Sequence, residues 1–321
     1  MVFTQNIWLP YLRGEMQVHR SIDSLPLFRN AVITIGTFDG VHLGHQKIIS
    51  ALVEEARKVN GESVIITFDP HPRKIINPAE HLQLINTLEE KIELLQEKNI
   101  DHLVVVPFTL SFSEQPADVY IQEFLINLFH PHTIIIGYDH HFGKQRKGNY
   151  RLLEEKAPVY NYRLLEIPRH VLDEIAISST KIRDAITQAQ VETANKLLGY
   201  DYFFEGVVIE GEKVGRQLGY PTANLKYTNQ DKIHLGEGVY AVYLYLDKQL
   251  KKGMMSIGNR PTFNDISEKV EVNIFDFEED LYGKTIKVIV KKYLRAQEKY
   301  NSIEALKAQI DLDKIESLKV L

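Results

Sequence analysis

The chain reads as two domains of different class: an α/β domain with a parallel sheet, followed by an antiparallel β domain closed by one helix. Three observations predict this. From residue 32 to about 167, short apolar runs alternate with stretches of helical periodicity, the pattern of a parallel sheet with helices on both faces. From 202 onward the apolar runs follow period two and are divided by Gly and Pro clusters without helices between them, which reads as an antiparallel barrel or sandwich. The length of 321 residues fits two domains of ordinary size.

Composition narrows the function classes. A net charge of −5 with no long basic run argues against a nucleic-acid binder. The absence of cysteine excludes disulfides, thiolate metal sites and cysteine nucleophiles. No apolar stretch approaches the ~20 residues of a membrane span, and the first twenty residues lack an apolar core of signal-peptide length. The expectation is a cytoplasmic protein, a monomer or weak homo-oligomer, acting on small molecules without nucleic-acid or membrane partners.

In the first half, strands are expected at 32–35, 64–68, 102–106, 133–137 and 163–167, with helices at about 45–59, 88–98 and 117–128. In such sheets ligands bind outside the carboxyl ends of the strands, and four polar strings fall there. TIGTFDGVHLGHQ (34–46) leaves the first strand through the turn residues Gly36, Asp39 and Gly40. It then places His42 and His45 three apart at the start of a helical pattern, on one helix face. A helix N-terminus there suits phosphate, and two imidazoles add donors that can follow charge on a transferring phosphoryl group. A Gly-rich turn with two surface histidines is the plainer reading. FDPHPR (68–73) is a turn stiffened by two prolines, with His71 incidental on local grounds. GYDHHFG (137–143) lacks the spacing and the Ser/Thr of a Walker A loop. ISSTKIR (177–183) offers an N-cap and, with Arg183, hydroxyl and guanidinium donors suited to phosphate. His130, His132, His140 and His141 match no closed zinc pattern, and no structural metal is expected from them.

Two short helices over 180–198 end at Gly199, and the domain boundary is placed at 186/187, giving domains 1–186 and 187–321. Strands follow at 203–209, 238–246, 252–257, 270–277 and 285–294. The closing helix is expected to start with Asn301 as N-cap and Glu304 at N3, with Ile303, Leu306 and Ile310 on its apolar face. GEKVGRQLGYPTANL (211–225) is the strongest string here. Gly211, Gly215 and Gly219 let the backbone approach a ligand. Thr222 and Asn224 put a hydroxyl and an amide oxygen on one side of an extended segment, donors that suit Mg²⁺ held jointly with phosphate. A GxGxxA at 236–241 leads into a strand, not a helix, and is rejected as a dinucleotide site. Glu271, in VEVNIFDF, shares a strand face with Asn273 and Phe275 and reads locally as a solvated charge.

Five of these strings, in order along nearly the whole chain, resemble the bacterial bifunctional riboflavin kinase/FAD synthetases. FDGVHLGHQ resembles the family's form of the nucleotidyltransferase HxGH motif, and FDPHP and SSTKIR resemble its companions. GYPTANL resembles the PTAN motif of flavokinases, and SIGNRPTF the family's NIGxRPTF with Ser256 for Asn. The resemblance implies a nucleotidyltransferase-type (Rossmann-like) α/β domain followed by an antiparallel β-barrel with a C-terminal helix. It implies FMN adenylyltransferase (FAD synthetase) activity in the first domain and riboflavin kinase activity in the second, with ATP, riboflavin, FMN and FAD as substrates and products and Mg²⁺ as cofactor. It places Gly36, Phe38, Asp39, His71, Asp139, Ser179, Thr180 and Arg183 at the nucleotide with His42 and His45. In the kinase it places Gly211, Lys213, Gly215, Gly219, Pro221, Thr222, Asn224 and Arg260 at Mg-ATP. Glu271 is the implied base for the ribityl 5′-hydroxyl, aimed into the barrel by the strand pleat. His140 stands where Phe is usual, Gln297 where Glu is usual, and Tyr200 where many relatives have Arg; the last two departures leave the implied chemistry untouched. A single-activity enzyme, or a module that holds flavin nucleotides without turning them over, are the competing readings.

Overall fold

The computed structural model describes residues 15–138, 140–167, 177–211, 215, 219–247, 249–262 and 265–321, with only the backbone of 259–262 and 265–268. The chain forms two compact units. One comprises Met1–Phe38, His45–His81 and Glu90–Glu174; the other comprises Asp39–Gly44, Leu82–Glu89 and Ile175–Leu321.

The first unit is built on six parallel strands: β1 (Gln17–His19), β2 (Val32–Ile35), β3 (Ser63–Asp69), β4 (His102–Pro107), β5 (Thr133–Gly137) and β6 (Arg163–Ile167). Their order is β1-β4-β3-β2-β5-β6. The apolar run at β2 is buried along its length because both neighbours are parallel partners, with Ile33 beside Val64 of β3 and Ile134 of β5. The strand order reverses at the β2/β5 pair, the topological switch point of a doubly wound sheet. The helix Leu43–Lys58 buries Ile49, Leu52, Val53 and Ala56 and ends in Arg57 and Lys58, which complement its dipole. The helix expected at 117–128 is present as a continuous helical run ending at Phe129, widened to π-helical over Tyr120–Ile126, where Tyr120, Ile121, Phe124 and Leu125 are buried. Several elements were not foreseen, among them β1 and the helix Tyr150–Tyr160. β1 is only three residues long. The helix Tyr150–Tyr160 continues through Pro158, a residue that reads as a breaker in sequence.

In the second unit, β7 (Phe203–Ile209), β8 (Ala223–Tyr227), β9 (Gly238–Leu246), β10 (Gln249–Thr262), β11 (Asp265–Ile274) and β12 (Thr285–Arg295) close into a barrel, in the order β10-β11-β8-β7-β12-β9. All ladders are antiparallel. β8, hidden in sequence behind the Gly-Pro turn, completes the wall. The barrel core takes Leu225 and Tyr227 from β8, Met255 and Ile257 from β10, and Val270, Val272 and Ile274 from β11. With period two this fixes the other face: Asn224, Ser256, Glu271 and Asn273 point outward. The inward aim expected for Glu271 is therefore corrected, because its flanking valines already occupy the core.

The helices Ser179–Thr187 and Val191–Leu198 contribute Ile182, Ile186, Val191 and Leu198 to the same apolar cluster. The closing helix is Ile303–Val320. Its N-cap is Ser302, not the expected Asn301: the Ser302 hydroxyl accepts from Ala305 N at 3.1 Å. Arg295 at the end of β12 holds this helix through a two-pronged pair, Nε to Asp313 Oδ1 at 2.8 Å and Nη2 to Asp313 Oδ2 at 2.7 Å.

Candidate active sites

The turn after β2 begins in the first unit. Gly36 N donates to Ile66 O at 3.0 Å, extending the β2–β3 register by one residue. Phe38 is buried with φ +48°, and its ring lies 5.2 Å from that of His45 in the first turn of the helix Leu43–Lys58. Beneath the turn, buried Lys91 donates from Nζ to Thr37 O at 2.7 Å and lies 3.3 Å from Thr67 Oγ1. No string flagged Lys91; an apolar-face position occupied by Lys in the 88–98 pattern was the available signal. His71 is buried and caps the short helix Pro72–Ile76, its Nδ1 accepting from Arg73 N at 3.2 Å, which leaves its proton on Nε2. His140 lies 5.9 Å from the Phe142 ring. Asp139 lies outside the described residues.

The turn continues as Asp39–Gly44 in the second unit. Gly40 has φ +89° and Val41, β-branched and fully buried, has φ +36°. Side chains of that type avoid the left-handed region, so this segment holds backbone strain of the kind concentrated at functional loops. Asp39, 1% exposed, anchors it. One carboxylate oxygen accepts from Ile85 N at 3.0 Å and Asn86 N at 3.3 Å, and the other pairs with the Arg183 guanidinium. Arg183 Nε also donates to Gln83 O at 2.8 Å. Ser179 Oγ donates to Asp39 O at 2.9 Å, and Ser178 caps its helix by accepting from Lys181 N. Thr180 is exposed. SSTKIR and FDG, separated by more than a hundred residues, thus meet through Asp39. His42 is 6% exposed, and burial pushes its pKa down to about 4, only partly opposed by the Asp39 carboxylate. It is a neutral imidazole at pH 7.

On the barrel's outer face, Glu271 of β11 stands directly opposite Asn224 of β8 on one side and Ser256 of β10 on the other. Residues so paired have Cβ atoms ~5 Å apart on one face. Lys269 Nζ pairs with Glu271 Oε1 at 2.7 Å, and Glu271 is half-buried. Gly211 and Pro221, near the two ends of the 211–222 string, lie against this face. Asn273 Nδ2 donates to Pro221 O at 2.7 Å, and a Cβ on Gly211 would fall onto the Asn224 carboxamide, so only glycine permits this approach. A Cβ on Gly215 would come 3.3 Å from Thr222 Oγ1, so Thr222 lies beside Gly215. Gly219 is exposed with φ +83°. Two positions at which the chain departs from the family strings meet each other: Gln297 Nε2 donates to Ser256 Oγ at 2.7 Å. Arg260 lies in β10, its side chain outside the described residues, and Lys213 lies outside them entirely.

Comparison with known proteins assigns each half. Residues 26–181 match the FAD synthetase family and residues 198–321 the riboflavin kinase family. The chain is a two-part transferase of flavin nucleotides. Bifunctional riboflavin kinase/FMN adenylyltransferases are similar to it along most of its length. The Buchnera aphidicola (Schizaphis graminum) protein is 37% identical, covering 93% of this chain and 96% of its own; the Listeria monocytogenes protein is 36% identical, covering 88% and 90%. The Escherichia coli protein is 33% identical, covering 88% and 90%. The chain belongs to the bifunctional riboflavin kinase/FMN adenylyltransferase family and carries both activities. A solved Streptococcus pneumoniae structure, of a protein called a macrolide-efflux protein, matches with a TM-score of 0.85 at 29% identity, covering 95% of this chain and 99% of its own. Among the described residues, no helix is long and apolar enough to cross a membrane.

Proposed function

We propose that residues 187–321 phosphorylate riboflavin from Mg-ATP, giving FMN and ADP, and that residues 1–186 transfer AMP from a second ATP to FMN, giving FAD and pyrophosphate. The observation that carries the kinase assignment is the cross-strand pair Glu271–Asn224, with Gly211 set against the Asn224 carboxamide. It sets a carboxylate beside an oxygen donor at the place where backbone can approach phosphate. Glu271 takes the ribityl hydroxyl proton as the oxygen–phosphorus bond forms, and Lys269 orients it. Thr222 and Asn224 supply hard oxygen donors, a set that fits Mg²⁺; bound there with ATP, the ion neutralises phosphate charge. Gly211, Lys213, Gly215, Gly219, Pro221 and Arg260 line the nucleotide.

The adenylyl step needs no base, because the FMN phosphate is already an anion at neutral pH. It attacks the α-phosphorus and pyrophosphate leaves. His42 and His45 donate to the charge that moves onto the phosphate oxygens. The anionic phosphates of ATP favour protonation of His42 and so oppose the effect of its burial. Gly36, Phe38, Asp39, His71 and Asp139 shape the nucleotide and flavin contacts. Ser179, Thr180 and Arg183 flank the phosphates, Arg183 from its pair with Asp39. The enzyme works in the cytoplasm as a monomer or weak homo-oligomer. Product analysis with riboflavin and ATP tests the reading: FAD is expected, whereas FMN alone, or neither product, would reject it.

A further inference from the structure

Segments of the second unit that are distant in sequence are tied together by bonds that none of the motif strings foretells. Residues 82–89 run alongside 231–233: Leu84 N donates to Asp231 O at 2.6 Å, and Ile233 N donates to Leu84 O at 2.8 Å. Lys232, 2% exposed, donates from Nζ to Ile85 O at 2.7 Å and lies 4.8 Å from the Tyr202 ring centroid. Burying an ammonium is costly unless its site gives it partners, so an apolar residue would serve packing better at this position. What the lysine secures is the peptide segment whose N–H groups at Ile85 and Asn86 hold the Asp39 carboxylate. Tyr200 reaches the same loop by a second route. Its hydroxyl lies 2.7 Å from Gly40 O and 3.1 Å from Asn86 Oδ1, two acceptors sharing one proton.

The loop these bonds reach, Asp39–His42, is strained at Val41. A strained backbone persists only where its surroundings over-determine it. We propose that Tyr200 and Lys232, both in the part of the chain that matches riboflavin kinase, are positioning residues for adenylyl transfer: they hold the Asp39–His42 loop in the conformation that presents His42. The two activities of the chain are then not independent, since the edge of the kinase part completes the adenylyltransferase loop. This rests on the adenylyltransferase reading of His42. It also gives Tyr200 a role, although its departure from the Arg of many relatives looked neutral in sequence.

The test uses the full chain with Tyr200→Phe, which removes one oxygen, and Lys232→Met. Tyr200→Phe is expected to lower kcat for FAD formation from FMN by roughly 10- to 100-fold, the scale of a small misplacement of a reacting group, with KM for ATP moving less than about twofold if the loss is one of positioning and not of binding. FMN formation from riboflavin stays at the wild-type rate and reports that the barrel is folded. Lys232→Met is expected to act in the same direction, and if it does not fold, Tyr200→Phe decides alone. Unchanged adenylylation in Tyr200→Phe, or a parallel fall of both activities in it, overturns the proposal. A wild-type chain that makes FMN but no FAD overturns the underlying reading instead.

Discussion

His42 ties the stability of the protein to pH in a way that can be worked out from its surroundings. Burial holds its pKa at about 4 in the folded protein, against 6.5 ordinarily. A histidine depressed in this way is neutral when folded and takes up a proton more readily when unfolded. Its contribution is therefore fully present above pH 6.5 and is lost as the pH falls from there to 4. Linkage with these two values gives a loss of about 2 kcal/mol at pH 5, approaching ~3 kcal/mol at lower pH. His42→Asn keeps a polar group but does not titrate. Between pH 7.5 and pH 5 the wild type should lose about 2 kcal/mol more than the variant; groups common to both cancel. Unfolding in urea at the two pH values measures the difference, and an imidazole titration by NMR reads the pKa directly. Saturating ATP should move that titration upward. Equal pH dependence in the two proteins, or a titration near 6.5 in the free enzyme, would refute the burial account.

Three further outcomes are expected. His42→Ala and His45→Ala should each lower FAD formation from FMN by roughly 10²- to 10³-fold, the usual loss for one transition-state donor, while FMN formation from riboflavin survives; normal FAD production by both would remove the histidines from the mechanism. Glu271→Gln should cost riboflavin phosphorylation roughly 10²- to 10⁴-fold and leave adenylylation and the thermal midpoint in place, because the outward face it occupies carries no core packing; rapid FMN production by the variant would exclude Glu271 as the base. Arg295→Ala leaves the Asp313 carboxylate buried without its two-pronged partner and should destabilise the barrel by roughly 3 kcal/mol, read as a lower denaturation midpoint and earlier proteolysis in the closing helix.

Much of the architecture was legible in the chain because local pattern decides it. The apolar runs at β2 and β5 read as strands buried on both faces, and the alternation in β11 and β12 as the half-exposed wall of a barrel or sandwich. The strings FDGVHLGHQ and GYPTANL likewise marked the two places where the sites are proposed, since phosphate chemistry needs glycine, hydroxyl and imidazole at close spacing. The helix Tyr150–Tyr160 was missed because Pro158 imitates a stop, and β8 because its five residues follow a Gly-Pro turn.

What tertiary structure alone decided is which way side chains face and what they meet. Period two says that Glu271 and its valines lie on opposite faces, but not which face is the core. Closure of the barrel settled that by turning Val270 and Val272 inward and Glu271 outward beside Asn224. Asp39 with Arg183, Tyr200 with Gly40, and Lys232 with Ile85 are separated by 144, 160 and 147 residues. A hydrogen bond depends on distance in space, and no local sequence pattern encodes a pairing across that much chain.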